Sequence, residues 1–268
     1  MRSGSEIRGR RSVTIHPTAI IHDEAELGEG VVIGPYSIIE GTVKIGDGTL
    51  VGSHVVIEGH TTIGAENQIF TGAVIGSPTQ DKKYDGGISY LTIGDRNKIR
   101  EYVTINPGTK DGTRTIIGND NLLMAYSHVA HDCVVHDHVV LANQATLAGH
   151  VIVQDRAIVG GLSAVHQFVR LGELALIGGC SKVVQDVPPF MMADGHPARV
   201  YGINSVGLDR AGYASHDKQV LKKAFKITFR SRHTLKNAIL HLESELGDGA
   251  AFETLLKFLK TSERGICR

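Results

Sequence analysis

The chain has 268 residues, and its 28 Lys and Arg balance 28 Asp and Glu, so the formal net charge is zero. This balance argues against a nucleic-acid-binding protein, which usually carries a strongly basic face, and no apolar run approaches the ~18 residues that a membrane-spanning helix needs. The three cysteines, Cys133, Cys180 and Cys267, show no metal-ligand pairing. Their odd number favours a reducing compartment over a disulfide scaffold, so we expect a cytoplasmic protein.

The first residues, MRSGSEIRGRRS, are basic and polar. They lack the apolar stretch of a signal peptide and take no part in the pattern that follows. Residues 1–12 are therefore expected to form a disordered basic tail.

From residue 13 onward the sequence repeats with a period of six. A large aliphatic residue stands at every sixth position from Ile15 to Ile75, again from Ile93 to Ile105, and again from Ile117 to Val183. The residue two positions earlier is nearly always small, and alternate residues of a strand face the same side. Six residues thus form one short strand and one corner, and three such units close a triangular coil. The sequence predicts an all-β solenoid, a parallel β-helix of hexapeptide repeats, over residues 13–190.

Glycine follows the large aliphatic residue in many repeats, as at Gly46 and Gly64. A sharp corner favours a residue that tolerates a positive φ. We therefore expect positive φ angles at these glycines.

Two stretches break the period, residues 76–92 and 106–116, and both are expected to project from the prism as loops. Long loops on a rigid scaffold often carry function, although a tolerated insertion would give the same pattern.

After Val183 the period ends at two consecutive prolines, and residues 191–268 are expected to form a C-terminal α-helical domain. Ser215 and Thr234 are candidate caps. The predicted helices cover about Asp217–Arg230, Leu235–Leu246 and Ala250–Lys260.

The first of these helices and its end are strongly basic. The cationic residues are Lys222, Lys223, Lys226, Arg230 and Arg232. They form either an ordinary solvated face or a docking surface for an acidic partner such as acyl carrier protein.

Histidines cluster in the segment SHVAHDCVVHDH. Residues 18 apart stack in adjacent coils, ~4.8 Å from each other. His131 then lies in a column with Gly149 and Gln167, and Asp132 lies beneath His150 and Phe168.

This column has the parts of an acid–base site. A positioned imidazole accepts a proton near neutral pH, and Asp132 is placed to fix its tautomer. Gly149 is expected to leave open space beside His131 for a substrate and to offer a backbone N–H. Histidines that merely occupy corners of the prism are the alternative.

A metal site is a rival interpretation of the same histidines. His131 and His136 have the spacing found in γ-class carbonic anhydrases, which share this fold. Those enzymes need a third histidine about 35 residues upstream, and the segment NKIREYVTI has none. Since three nitrogen ligands are usual for catalytic zinc, we predict no metal ligands.

Several short segments make a more specific pattern. They are HPTAI, IGSPTQDKKY, IGDRNKIRE, DNLLM, HVAHDC, LANQATLAGH, AVHQF and GGCSKVVQDVPP, followed by the helical C-terminus. From residue 13 to residue 268 the chain resembles the UDP-N-acetylglucosamine 3-O-acyltransferase family of lipid A synthesis. Hexapeptide repeats alone are shared by many transferases, whereas the combination of AHDC, AGH and QDKKY is discriminating.

The resemblance implies a left-handed β-helix, a homotrimer and no cofactor. It implies transfer of a (3-hydroxy)acyl group from acyl carrier protein to the 3-position of UDP-N-acetylglucosamine, the first step of lipid A biosynthesis. In that reaction His131 is the general base, Asp132 orients it, and Gly149 supplies the oxyanion-hole N–H.

The resemblance also assigns substrate contacts. Asp81 and Lys83 contact the acceptor in a cleft between subunits, Asn204 and Arg210 meet the uridine and phosphates, and the remaining contacts line the substrate: His128, His150, His166 and Gln167. This chain departs from the family at three places, with Asn106-Pro107 where His-Arg is common, Val206 for a Glu and Ala211 for a second Arg. These departures put nucleotide affinity and acceptor choice in doubt.

Paired glycines also stack, since Gly160 and Gly161 lie 18 residues before Gly178 and Gly179. We expect Gly161 and Gly179 to form an acyl-chain groove, with tight-corner geometry as the alternative.

Other functions remain open at this point. One alternative is acyl transfer to the 3-amino analogue of the sugar. The related N-acyltransferases of the pathway are expected to carry an extra N-terminal domain. A γ-carbonic-anhydrase-like zinc enzyme and a purely structural β-helix are the alternatives from other classes.

Overall fold

The computed structural model describes residues 12–245 and 249–268. From Thr14 to Val183 the chain forms short strands, most of them two residues long, that pair in parallel between successive coils. Val134, for example, pairs with Ile152, at an offset of 18 residues. The parallel β-helix is therefore confirmed, whereas the predicted tail over residues 1–12 lies outside the described residues except for its last position.

Within the described residues the strands form three sheets, one for each face of the prism. The first face holds β1 (Thr14–Ile15), β4 (Val32–Ile33), β7 (Leu50–Val51), β10 (Gln68–Ile69), β13 (Lys98–Ile99), β16 (Leu122–Leu123), β19 (Val140–Leu141), β22 (Ile158–Val159), β25 (Leu176–Ile177), β27 (Met191–Gly195) and β28 (Ala198–Ile203). The second holds β2 (Ile20–Ile21), β5 (Ile38–Ile39), β8 (Val56–Ile57), β11 (Val74–Ile75), β14 (Thr104–Ile105), β17 (His128–Val129), β20 (Thr146–Leu147), β23 (Ala164–Val165) and β26 (Lys182–Val183). The third holds β3 (Glu26–Leu27), β6 (Lys44–Ile45), β9 (His60–Ile63), β12 (Tyr90–Ile93), β15 (Arg114–Ile117), β18 (Val134–Val135), β21 (Ile152–Val153) and β24 (Arg170–Leu171).

The aliphatic residues of the six-residue period fill the interior of the prism. Ile33, Ile57 and Leu147 are buried, as predicted. Ile15, in the first described coil, is 44% exposed. A coil buries its core side chains against the coils on either side of it. Ile15 is exposed because its coil is at the end of the described stack.

The glycines after the aliphatic residues serve a different purpose from the one expected. The φ angles of Gly46 and Gly64 are not positive, and a Cβ on Gly46 would lie 2.6 Å from the carbonyl carbon of Gly64 in the next coil. Positive φ angles fall two residues later, on Gly48 and on Glu66 (φ 58°). The expectation of positive φ at Gly46 and Gly64 is wrong, because the close approach of neighbouring coils is what excludes a side chain there.

The two interruptions of the period are loops, as expected. The chain leaves the prism after Ile75 and returns at Tyr90, then leaves it after Ile105 and returns at Arg114. The last residues of each predicted loop range thus belong to β12 and β15.

An antiparallel hairpin follows the β-helix, whereas the sequence pattern predicted helices alone. β27 pairs with β28 and also, in parallel, with β25, so the hairpin extends the first face. The six-residue period could not reveal it, because the hairpin joins an existing sheet edge outside the repeat. The division of the chain at residue 190 stays a prediction.

Four α-helices follow within the described residues: α1 (Ser205–Arg210), α2 (Ser215–Phe225), α3 (Leu235–Glu245) and α4 (Ala250–Lys260). A π-helical turn, Lys226–Arg230, continues α2. The short helix α1 was not predicted, and Leu246, the predicted end of α3, lies outside the described residues. None of the described helices has the length and apolar character to cross a membrane.

The two candidate caps behave differently. Ser215 is the first residue of α2, after an Ala214 that makes no capping hydrogen bond, so its prediction as a cap is wrong. Thr234 accepts a hydrogen bond from the Asn237 N–H at 3.3 Å, as a cap of α3 does.

Arg170 joins the helical region to the β-helix. Its Nη2 donates to the Phe258 carbonyl oxygen at 3.0 Å, and its Nε lies 3.4 Å from the buried carboxylate of Asp186. The guanidinium also covers the Phe258 ring at 4.3 Å. These contacts fix α4 against the last coils.

Candidate active site

His131 lies in the turn between β17 and β18 and is 5% exposed. The coil register sets what lies beside it, because the His150 N–H donates to the His131 carbonyl oxygen at 3.0 Å and the Phe168 N–H donates to that of Gly149 at 3.2 Å. The columns inferred from the 18-residue offset are therefore present in the structure.

Asp132 holds the imidazole of His131. Its Oδ2 lies 2.9 Å from His131 Nδ1 and accepts the Thr109 N–H at 3.1 Å, while the Asp132 N–H donates to Thr115 Oγ1 at 2.8 Å. Burial acts to raise the pKa of the Asp132 carboxyl, but hydrogen bonds, led by that of His131, outweigh it and hold the pKa below its usual range. A charged Asp132 keeps the proton on Nδ1, which leaves Nε2 as the basic nitrogen.

The other ring nitrogen faces a second carboxylate. His131 Nε2 lies 3.4 Å from Oδ2 of Asp81, which the first loop supplies, and the ring meets that of His150 edge-on at 5.1 Å. With the proton on Nδ1, both Nε2 and Asp81 accept hydrogen bonds. A ligand hydroxyl group beside the two atoms can donate its proton to either acceptor.

Gly149 does not leave an empty space beside His131, and this expectation is wrong. A Cβ on Gly149 would lie 2.3 Å from His131 Cε1 and 2.4 Å from Nε2. The imidazole itself fills the space, lying against the bare main chain of the next coil. Among the described residues the Gly149 N–H has no hydrogen-bond partner, so it remains free to donate to a ligand.

The open space lies beyond the imidazole, in a cavity of about 320 Å³. Its lining residues are Thr79, Gln80, Asp81, Lys82, Asn106, His128, Ala130, His131, Ala148, Gly149 and Gln167. The structure thus brings Asp81, His128 and Gln167 of the predicted substrate contacts together with the proposed base.

His128 and His150 flank the base. His128 Nδ1 lies 2.7 Å from Thr104 Oγ1, and its burial, together with the charge of His131, lowers its pKa. His150 stacks on Phe168 at 4.6 Å, and its pKa is also lowered, chiefly by burial and against the opposing charge of Asp132. Both side chains therefore favour the neutral form.

Three predicted contacts near the base lie outside the cavity lining: Lys83, His166 and His150, the last of which lines a separate cavity with Phe168. Lys83 is exposed, and its backbone N–H donates to Asp81 Oδ1 at 3.0 Å. The cavity is lined by Lys82 instead. His166 is exposed, with Nδ1 3.3 Å from Arg264 Nη2.

Sequence reasoning missed residues that support the site. Asn106, noted only as a departure from the family, is buried, and its Nδ2 donates to the Ser77 carbonyl oxygen at 3.0 Å. This bond ties the first loop to the prism just before the loop forms the cavity wall. Thr109 and Thr115, which hold Asp132, were also missed because they lie in or beside an interruption of the period.

Asn204 and Arg210 lie in a second cavity, of about 370 Å³, which Arg156 and Ala211 also line. Asn204 caps α1, accepting the Gly207 N–H at 2.9 Å and donating from Nδ2 to the Leu174 carbonyl oxygen at 2.9 Å. Arg156 was not among the predicted residues, since a corner arginine has no distinguishing sequence signal.

Gly161 and Gly179 lie at a different corner of the prism from Asp132, on the opposite side of the second face. A Cβ at either position would lie 3.2–3.3 Å from a carbonyl oxygen of the preceding coil. A Cβ on Gly160 would lie 2.6 Å from the backbone nitrogen of Gly179 in the next coil, whereas the nearest atoms to a Cβ on Gly178 belong to the Asp194 side chain, at 2.7 Å. Tight stacking of the main chain therefore explains Gly160, and the groove at Gly161 and Gly179 stays a prediction.

One group of described side chains has the spacing of a metal site. It comprises His131, Asp132 and His150, whose donor atoms all lie within 4.8 Å of one another. His136 is exposed and does not belong to it, so the histidine pair of the carbonic anhydrase pattern is not brought together here.

Two family models match parts of the chain. Residues 24–59 and 114–149 match the family model for bacterial transferase hexapeptides (six repeats). Residues 186–267 match the model for UDP N-acetylglucosamine O-acyltransferase, domain 2.

Two curated relatives share the name acyl-(acyl-carrier-protein)–UDP-N-acetylglucosamine O-acyltransferase. That from Gloeothece citriformis is 52% identical over 178 residues, 66% of this chain and 64% of the relative. That from Janthinobacterium sp. (strain Marseille) is 50% identical over 259 residues, 95% of this chain and 99% of the relative.

The solved structure of LpxA from Acinetobacter baumannii superposes with a TM-score of 0.92 at 44% identity, covering 95% of this chain and 99% of that one. With the hexapeptide matches, this confirms a left-handed parallel β-helix followed by a helical region. The chain therefore belongs to the acyl-(acyl-carrier-protein)–UDP-N-acetylglucosamine O-acyltransferase family.

Proposed function

We propose that this protein transfers a (3-hydroxy)acyl group from acyl carrier protein to the 3-hydroxyl of UDP-N-acetylglucosamine, the first step of lipid A biosynthesis. The observation that carries the proposal is the His131–Asp132 pair, 2.9 Å apart, beside the free N–H of Gly149. The names of relatives that match almost the whole chain support the substrates.

The chemistry follows from this geometry. His131 Nε2 removes the proton from the sugar hydroxyl while the hydroxyl oxygen attacks the thioester carbonyl carbon. Asp132 stabilises the imidazolium through Nδ1, and the Gly149 N–H donates to the oxyanion. A preorganised donor of this kind contributes about 3 kcal/mol to a barrier reduction. The C–S bond then breaks, and the imidazolium returns the proton to the departing thiolate.

Each substrate part has candidate contacts. Asp81 accepts hydrogen bonds from the acceptor sugar, and Lys83 assists it from the same loop. The residues that line the substrate are His128, His150, His166 and Gln167. Asn204 and Arg210 meet the uridine and the phosphates, where the planar fork of Arg210 suits a phosphate oxygen pair. The acyl chain extends toward Gly161 and Gly179.

The partners follow from the same reaction. Acyl carrier protein docks on the basic face formed by Lys222, Lys223, Lys226, Arg230 and Arg232. All five residues are exposed, and the Arg230 guanidinium lies over the Phe225 ring. The reaction takes place in the cytoplasm, which the free thiols of all three cysteines support. The steps use neither a metal nor a redox cofactor.

A homotrimer is the assembly we propose. One corner of the prism exposes large apolar side chains, Tyr36, Tyr102, Tyr126 and Leu162, hereafter the aromatic corner. A row of exposed apolar side chains of this kind favours contact with another copy of the chain.

The decisive test measures transfer of a 3-hydroxyacyl group from acyl carrier protein to UDP-N-acetylglucosamine by mass spectrometry. We expect activity in the wild type and a kcat about 10²–10⁴-fold lower in His131→Ala. His136→Ala, a change at an exposed histidine of the same segment, should retain activity. A folded wild type that acylates neither this sugar nor its 3-amino analogue would overturn the proposal. The family assignment favours neither the 3-amino sugar nor a carbonic anhydrase activity.

A further inference from the structure

The cavity beside α1 has an unusual set of charges. Two arginines line it, Arg156 from a corner of the prism and Arg210 from the last turn of α1. Both are exposed, and within the described part of the chain neither guanidinium forms an ion pair or a side-chain hydrogen bond. Two unpaired guanidinium groups at one concave surface form a site for an anion with several oxygens.

Arg156 stands out from its equivalents in the same corner column. Arg96 occupies the same kind of position, with φ 56° against 58° for Arg156. Yet Arg96 makes two hydrogen bonds to the Asp120 carboxylate, both 2.9 Å long. Arg156 has no such partner, so its charge is available to a ligand.

The charge of Arg156 also affects the pKa of Tyr213, in the helical region. Burial and the neighbouring Glu173 raise the pKa of Tyr213 to about 12, while the charge of Arg156 acts to lower it. Tyr213 follows α1 closely in the chain. The guanidinium of Arg156 is therefore close enough to the segment between α1 and α2 to act on Tyr213 electrostatically.

The other residues that line the cavity supply no further positive charge for an anion. Asn204 uses its Oδ1 and one N–H of Nδ2 within the protein. Ala211, at the end of α1, offers no charge. Arg156 is the remaining cation among the residues that line the cavity.

We propose that Arg156 is a second guanidinium contact for the diphosphate of the nucleotide-sugar acceptor, acting together with Arg210. This inference rests on the proposed function and on the proposed trimer, whose cleft between subunits holds the acceptor, and it adds to them. Arg156 supplies a second positive charge from the β-helix, in addition to that of Arg210 on α1. It is a binding residue and takes no part in the proton transfer at His131.

The test compares Arg156→Asn with Arg96→Asn. Asparagine tolerates the positive φ that both positions share, so the turn is retained. Arg156→Asn should raise the KM for UDP-N-acetylglucosamine and the Kd for UDP by on the order of tenfold, as expected for one charge-assisted hydrogen bond. Arg96→Asn should change neither value, and Arg156→Lys should recover part of the affinity.

A gain of affinity provides the complementary test. Ala211→Arg in the Arg156→Asn background should restore tight UDP binding, because it returns a guanidinium to the same cavity. Unchanged KM and Kd in Arg156→Asn would overturn the inference. A rise confined to the KM for acyl carrier protein would also overturn it, since the anion would then be the donor's phosphopantetheine phosphate.

Calorimetry with UDP separates this inference from the proposed function. UDP binding does not require acyl transfer, so it tests Arg156 whether or not transfer is detected. A wild type that transfers acyl groups while Arg156→Asn binds UDP normally would leave the function standing and remove the role of Arg156. A wild type that does not bind UDP would remove that role as well.

Discussion

At the scale of single residues, the position of the His131 imidazole depends on the missing side chain of Gly149 and on Asp132. The imidazole lies where a side chain on Gly149 would be, 2.3 Å from the position of a Cβ. On its other side, Asp132 holds Nδ1 at 2.9 Å. The ring is therefore fixed in position by a hydrogen bond on one side and by the bare main chain on the other.

Gly149→Ala should displace the imidazole without unfolding the protein. A shift of about 1 Å at a catalytic group costs about 100-fold in rate, so we expect kcat to fall by about that factor or more. Steady-state kinetics at saturating substrate measures it.

Gly202→Ala is the matched control. A Cβ on residue 202 would contact only Met192 Cε, at a normal van der Waals distance of 3.5 Å. Activity should therefore remain. A Gly149→Ala enzyme with the kcat of the wild type would show that the ring does not need this space.

At the scale of elements, the two loops complete what the regular coils begin. The first carries Asp81 to within 3.4 Å of His131, and the second brings the Thr109 N–H to Asp132. Asn106 links them, since it begins the second loop and donates to Ser77 of the first. The prism supplies the base, and the loops supply its surroundings and one wall of the cavity.

Helix α2 carries the proposed docking surface. Combined charge reversal of Lys222, Lys223 and Lys226 should raise the KM for acyl carrier protein by about tenfold or more and leave the KM for the sugar unchanged, because all three side chains are exposed. The effect should shrink at high salt, which screens charges at the surface.

Lys98→Glu, an exposed lysine on β13, serves as the control and should not alter donor KM. An unchanged donor KM in the triple variant would identify the basic residues as an ordinary solvated face.

At the scale of the whole molecule, the three corners of the prism differ in chemistry. One corner holds Asp132 and His150, the next holds Arg96 and Arg156, and the third is the aromatic corner. In the third, Tyr102 and Tyr126 stack with ring centroids 5.0 Å apart. Leu162, in the same column, is 62% exposed.

Substituting Tyr126 and Leu162 together by Asp should dissociate the proposed trimer. Light scattering should then give the 28.8 kDa of a single chain where the wild type gives three times that mass. Charged side chains would have to be desolvated in the contact, which disfavours association.

Leu240→Asp, at an exposed leucine of α3, should leave the mass unchanged. A double variant that keeps the mass of a trimer would place the subunit contact elsewhere on the prism.

Much of the fold followed from the sequence because the repeat has a constant offset. Each strand pairs with the one 18 residues away wherever the period is unbroken, so sequence distance converts directly into spatial distance. Ile33 could be placed in the core, and His131 beside Gly149, without any tertiary information. The assignment of Asn204 and Arg210 to the nucleotide rested instead on the family resemblance.

What only the tertiary structure decided lies where that offset fails. Asp81 reaches His131 from a loop, and Thr109 reaches Asp132 from another, because a loop has no constant register with the coils. The same holds for the hairpin of β27 and β28 and for Arg156 beside Arg210. The six-residue period determined the prism and the columns along it, whereas packing across the breaks in the period determined which side chains complete each site.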